Sequence, residues 1–181
     1  QDPVRLTLER AVATNRVAHA YLFAGPTGSG KTTTARLLAK ALNCGTRKSG
    51  EAEPCNACNS SDEITGGSSL DVIEIDGASN RGIDEIRQLR SNVNARPSRA
   101  RFKIYIIDEV HQLTNEAANA LLKLVEEPPP HLRFIFATTE INEVPVTILS
   151  RCQRVDLKRV DAAGLATHYA GLAVTEAVET E

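Results

Sequence analysis

Residues Gly25 to Thr32 read GPTGSGKT, which fits the pattern G-x-x-x-x-G-K-[ST]. Glycines at this spacing let the backbone curl until successive N–H groups point inward at phosphate oxygens, and a following helix adds its positive end. Gly25, Pro26, Thr27, Gly28, Ser29 and Gly30 would form that cradle, with Thr33 behind them. Lys31 would reach the β- and γ-phosphates and the Thr32 hydroxyl would ligate Mg²⁺. The bland alternative is a chance glycine turn. Further along, IYIIDE ends an apolar run in two acids, Asp108 and Glu109. A carboxylate at the end of a buried strand is costly unless a charge lies opposite. Asp108 would hold the metal through water, and Glu109 would orient or deprotonate the water attacking the γ-phosphate. FATTE ends another run in two hydroxyls, Thr138 and Thr139, either of which could contact the γ-phosphate or that water. Arg151, in ILSRCQ, suits a finger donated to a neighbouring subunit's nucleotide, or a surface ion pair.

A second chemistry stands apart from these. Cys44, Cys55 and Cys58 are spaced like three corners of a tetrahedral metal site, and Ser61 stands where a fourth would complete it. They are a zinc site, the remains of one, or three ordinary thiols. Arg81, Arg87, Arg90, Arg96, Arg99, Arg101 and Lys103 crowd one segment holding only two acids, Asp84 and Glu85. That segment is the best candidate for tracking nucleic-acid phosphates, with a solvated helix face as the alternative. It carries no interleaved aromatic for base stacking before Phe102.

These groups need elements to position them. YLFAG, residues 71–76, 102–108 and 132–139 read as strands, with QRVDLKR as a fifth. The third is apolar on both faces, as a central parallel strand should be. Helices are expected at KTTTARLLAKALN (stripe Ala35, Leu38, Leu42), at IDEIRQLRSNV (Ile83, Ile86, Leu89 or Arg90, Val93) and at NEAANALLKLVEE (Ala118, Leu121, Leu122, Val125). Pro128, Pro129 and Pro130 stop the last of these. Strands alternating with such helices argue an α/β fold with a parallel sheet covered on both faces.

The bulk numbers exclude several classes. A length of 181 residues suffices for one well-buried domain and part of another. A net charge of −2 is not that of a molecule that binds nucleic acid with its whole surface. Four unevenly spaced cysteines and no signal-peptide pattern fit a reduced cytoplasmic protein. No apolar run approaches the roughly 18 residues that span a bilayer. The chain opens at Gln1 without a methionine, and its last twenty residues read as a helix with no partner segment. We therefore expect a nucleotide-binding domain over 1–160, with a cysteine insert at about 44–63, and at 161–181 the start of a truncated helical lid domain.

Taken together, AHAYLFAGPTGSGKTTTARLLAKALNC, PCNAC, DVIEIDGASNRGIDEIRQLR, FKIYIIDEVHQLTNEAANALLKLVEEPPP and FATTEINEVPVTILSRCQ resemble AAA+ ATPases of the clamp-loader branch. More narrowly, they resemble the gamma/tau subunits of bacterial DNA polymerase III. The resemblance implies a P-loop NTPase (AAA+) fold with a five-stranded parallel sheet. It implies ATP and Mg²⁺ as ligands, and a five-subunit ring that opens a sliding clamp on binding ATP. Hydrolysis then releases the clamp on primer–template DNA, within the bacterial cytoplasm at the nucleoid-associated replisome. It makes Lys31, Asp108, Glu109 and Thr139 catalytic, with Thr139 the better match to the sensor position than Thr138. It makes Arg151 a catalytic residue acting in trans, and it brings the basic segment near DNA. It also implies a structural zinc on Cys44, Cys55, Cys58 and a fourth ligand whose place Ser61 takes, with water or Asp62 able to complete the set. The isolated chain should be monomeric and should hydrolyse ATP slowly. Two other readings stand beside this one: a helicase-type motor, since DEVH fits D-E-x-H, and a non-hydrolysing ring scaffold, against which the intact Lys31, Thr32, Asp108 and Glu109 argue.

Overall fold

The computed structural model describes residues 2–79, 83–160 and 164–166. Five strands form one all-parallel sheet: β1 (Ala20–Ala24), β2 (Val72–Asp76), β3 (Lys103–Asp108), β4 (Leu132–Thr138) and β5 (Gln153–Asp156). Their order across the sheet is β2-β3-β4-β1-β5. Each expected strand is found, its ends falling within three residues of those expected. The side chains of β1, β3 and β4 alternate between two cores, as period-two geometry requires. Tyr21, Phe23, Ile104, Ile106 and Ile135 point to one face, and Leu22, Tyr105, Ile107, Phe134 and Phe136 to the other.

The first face is covered by α1 (Asp2–Ala13) and α2 (Lys31–Asn43). Ala35, Leu38 and Leu42 are buried there, as their spacing predicts. The second face is covered by α4 (Ile83–Asn92), α5 (Asn115–Glu126) and the single turn α6 (Val146–Leu149). On α4 the choice between Leu89 and Arg90 is resolved: Leu89 is buried and Arg90 exposed. Thr114 caps α5, its hydroxyl accepting from the Ala117 N–H at 3.2 Å. Between α2 and β2 lies the cysteine segment, which ends in the short α3 (Asn59–Thr65). Both α1 and α3 are additions to what the sequence pattern announced. Residues 164–166 are helical, and the rest of the tail helix expected there lies outside the described residues.

Strands β1 and β4 are neighbours in space but not in sequence. The chain leaves β1 toward α2 on one face and leaves β4 toward α6 on the other. Such a parting of connections opens a crevice at the carboxyl ends of the strands, where ligands of open α/β sheets bind.

Candidate nucleotide site and cysteine cluster

The crevice holds the phosphate-loop motif. Gly28 and Gly30 have φ of 79° and 89°, a left-handed conformation costly to other residues, and no atom stands within 4 Å of where a Cβ would be. A side chain at either position would enter open space. Lys31 is buried, and its ammonium donates to the carbonyls of Gly25 (2.9 Å) and Pro26 (3.2 Å), folded back over the loop. The Ser29 hydroxyl is buried with no protein partner, an orphan that a phosphate oxygen would satisfy. Pro26 and Thr27 are exposed on the rim, as is Thr33 one turn into α2. A cleft of about 470 Å³ opens beside them, bounded by Thr139, Glu140, Arg154 and Arg159.

The acids of β3 face this loop. The Thr32 hydroxyl donates to Asp108 Oδ2 at 2.5 Å, so the two expected metal-holding residues already touch. Asp108 Oδ1 also accepts from the Glu109 N–H at 2.9 Å. Glu109 has φ 46° and ψ 49°, left-handed and uncommon for a residue with a side chain. Its conformation is held from outside. Glu109 Oε2 accepts from the Thr139 hydroxyl at 2.9 Å and from the Thr139 N–H at 3.2 Å. The loop, Lys31, Thr32, Asp108, Glu109 and Thr139 are therefore gathered at one place, as the motifs required.

One member of this group is absent from the sequence reading. His111 follows in a 3₁₀ turn (Val110–Gln112), with its side chain 5% exposed. Its Nδ1 lies 2.9 Å from the Thr138 hydroxyl and 3.3 Å from Glu109 Oε2. The Gln112 amide nitrogen, which can only donate, lies 3.2 Å from His111 Nε2. This pairing puts the ring proton on Nδ1, whence it donates to Thr138 and faces Glu109. Thr138, fully buried, accepts a second bond from the Glu140 N–H at 3.0 Å. Thr139 thus contacts the acid directly, and Thr138 acts on it through His111. DEVH contained the only signal for His111: a histidine two residues after the second acid.

Arg151 lies away from the loop. Its guanidinium donates to Glu126 Oε1 at 2.6 Å, to the Thr147 carbonyl at 2.8 Å and to Ser150 Oγ at 3.1 Å. The local ion pair considered above is therefore present, and the side chain remains about a third exposed. The basic segment divides. Arg90, Arg96, Arg99 and Arg101 are exposed, whereas Lys103 is buried and donates to the Asn92 carbonyl at 2.9 Å. Arg81 and the Arg87 side chain lie outside the described residues.

At the far end of α2 the Sγ atoms of Cys44, Cys55 and Cys58 lie within 4.8 Å of one another. Burial works against the Cys44 thiolate, but the Cys55 N–H (3.4 Å) and the Thr46 hydroxyl outweigh it and lower the thiol to about 6. The Ser61 hydroxyl, 3.4 Å from Cys58 Sγ, lowers that thiol too. Cys152 sits in the other core, where burial raises it to about 12. Three sulfurs so close, two of them favouring the thiolate, fit a soft divalent ion such as zinc. Among the described residues no helix is long and apolar enough to cross a membrane.

Comparison with known proteins agrees with this geometry. The chain is 48% identical over 181 residues to the DNA polymerase III subunit tau of Bacillus subtilis, covering 100% of this chain and 32% of that protein. It is 49% identical over 161 residues to the corresponding Escherichia coli subunit tau, covering 89% of this chain and 25% of that one. The chain therefore spans only a third to a quarter of the length of these relatives. Among solved structures, a gamma subunit-related protein of Thermotoga maritima matches with TM-score 0.57 and 24% identity over 87% of this chain and 46% of that one. The RuvB Holliday junction branch migration motor of the same organism matches with TM-score 0.56 and 19% identity over 87% and 44%. These two likenesses show the fold, a five-stranded parallel sheet packed between helices. The family model described as DNA polymerase III, delta subunit, matches residues 1–161, and the chain belongs to that family.

Proposed function

We propose that this chain is the ATPase domain of a clamp-loader subunit, with the domain over 1–160, its cysteine insert at about 44–63, and a helical lid beginning at 161. The observation that carries this reading is the convergence of an open phosphate cradle with Asp108, Glu109 and Thr139 at one end of the sheet. The N–H groups of Gly28 to Thr32 bind the nucleotide's phosphates, and Ser29 Oγ gains the partner it lacks. Lys31 turns from two neutral carbonyls to the β- and γ-oxygens, a charge-assisted exchange. Mg²⁺, when bound, would be held by Thr32 and Asp108 and would neutralise charge on the phosphates. Glu109, pinned through Oε2, keeps Oε1 for the attacking water and accepts its proton. Arg151 acts on the neighbouring subunit's nucleotide, leaving Glu126 to do so. The partners of the whole protein are the other subunits of a five-membered ring, a sliding clamp and primer–template DNA. Cys44, Cys55 and Cys58 hold a structural zinc.

Nucleotide titration tests this directly. The chain should bind ATP, and Lys31→Ala should weaken binding by at least about tenfold, the loss of one charge-assisted contact. Equal binding by both proteins would overturn the ATPase reading.

A further inference from the structure

A buried hydroxyl stands beside the cysteine cluster. Ser61 is 1% exposed, on the first turn of α3, with Cys58 immediately before that helix. Its hydroxyl lies 3.4 Å from Cys58 Sγ. That length can be compared with a coordination edge. With Zn–S at about 2.3 Å and Zn–O at about 2.0–2.2 Å, tetrahedral geometry sets the S···O edge at about 3.5–3.7 Å. The observed separation is within about 0.3 Å of it. The S···S edge is about 3.8 Å, so the three sulfurs, within 4.8 Å of one another, need only a small contraction.

Other candidates for the corner are placed elsewhere. The Asp62 side chain is exposed, and its carboxylate is not in the group of atoms that lie within 4.8 Å. Cys152 packs in the core on the opposite face of the sheet. A buried hydroxyl whose partner is a sulfur is also weakly satisfied, since sulfur is a poor hydrogen-bonding group. A metal would serve it better.

The geometry points to Ser61 Oγ as the fourth donor of a three-sulfur, one-oxygen metal site, an inference that rests on the zinc reading of the cluster. The chemical consequence is a weaker and more exchangeable site than four thiolates would make. Three sulfurs bind as thiolates, whereas the serine hydroxyl stays neutral. The bound ion therefore carries a net charge of about −1 with its ligands, against about −2 for four thiolates. The oxygen bond is the one that breaks first when a chelator or a competing thiol arrives.

Cobalt(II) reads the donor set. The reduced chain, stripped of metal by a chelator, is titrated with Co²⁺ while the thiolate-to-cobalt charge-transfer and visible d–d bands are recorded. The same titration is made on Ser61→Cys and Ser61→Ala, with circular dichroism confirming that each is folded. We expect one Co²⁺ per chain in tetrahedral geometry. Its charge-transfer intensity should be about three quarters of that of Ser61→Cys, three thiolates against four. Ser61→Ala should lose at least about tenfold in affinity, since removal even of outer-shell partners costs that much. An Ala variant that binds as tightly as the natural chain overturns the role of Ser61 and leaves the metal site standing. Binding by Ser61→Cys alone overturns it as well, by showing a vestigial site. No uptake by any of the three defeats the zinc reading itself.

Discussion

Glu109 combines two features that pull in opposite directions. Its left-handed backbone costs on the order of 1 kcal/mol, and its carboxylate is clamped by Thr139 and faced by His111. The strain is tolerated because the clamp aims the acid at the crevice. Glu109→Gln should therefore leave ATP binding intact and lower hydrolysis by about 10²-fold or more, as measured by single-turnover phosphate release. His111 contacts Thr138 and faces Glu109 rather than the phosphate loop, so its effect should be different in kind. His111→Ala should lower kcat by about tenfold and leave the nucleotide dissociation constant unchanged, with His111→Asn restoring part of the rate through its amide donor. Gly77 bears on the same acids from β2, because a Cβ there would stand 2.7 Å from the Glu109 carbonyl and 2.8 Å from that of Asp108. The motif residues were legible one by one, since phosphate chemistry dictates their types and spacing. The support behind them was not, because a histidine in a three-residue turn has no periodicity to betray which acid it faces.

At the scale of elements, the buried strands were legible because a parallel sheet covered on both faces leaves near-continuous apolar runs. Helix α1 escaped notice because its buried residues, Leu8 and Val12, are few and lie among charged ones. Helix α3 did so because it is seven residues long and buries only Ser61 and Ile64. A less visible device fixes the loop after α4. The Asp71 carboxylate accepts from the N–H groups of Ser98, Arg99 and Ala100 at 2.7, 2.9 and 2.9 Å. Burial works to raise this carboxyl, but the three donors, with Lys103 behind them, outweigh it and hold it below the ordinary 3.8. The folded value is depressed, so its contribution to stability is present above the unfolded value and fades as pH falls through 3.8 toward the folded one. Asp71→Asn should cost about 1–3 kcal/mol at pH 7 in a urea titration, and the gap to the natural chain should narrow at acid pH.

At the scale of the molecule, α2 separates two chemistries. It begins at Lys31 and ends at Asn43, so about 20 Å of helix stands between the phosphate loop and Cys44. Alkylation should report the separation. Cys152, with its thiol pushed up to about 12, should resist iodoacetamide at pH 8, while Cys44, Cys55 and Cys58 should react in the metal-free chain and be protected by zinc, as read by peptide mass mapping. The Asn43 side chain reveals what ties the insert down. It donates from Nδ2 to the Phe102 carbonyl and accepts from the Phe102 N–H, both at 2.9 Å, joining the end of α2 to the start of β3. Asp71 ties the other end of the insert to residues 98–100. Both anchors fall on the exposed arginine-rich loop rather than on the nucleotide end. The insert and that loop should therefore open as one cooperative unit. In hydrogen–deuterium exchange, chelation should speed exchange over 44–70 and 96–103 together while 20–32 and 104–109 keep their protection. Wherever the loop's arginines act, they will inherit the stability of a segment remote from the phosphate loop.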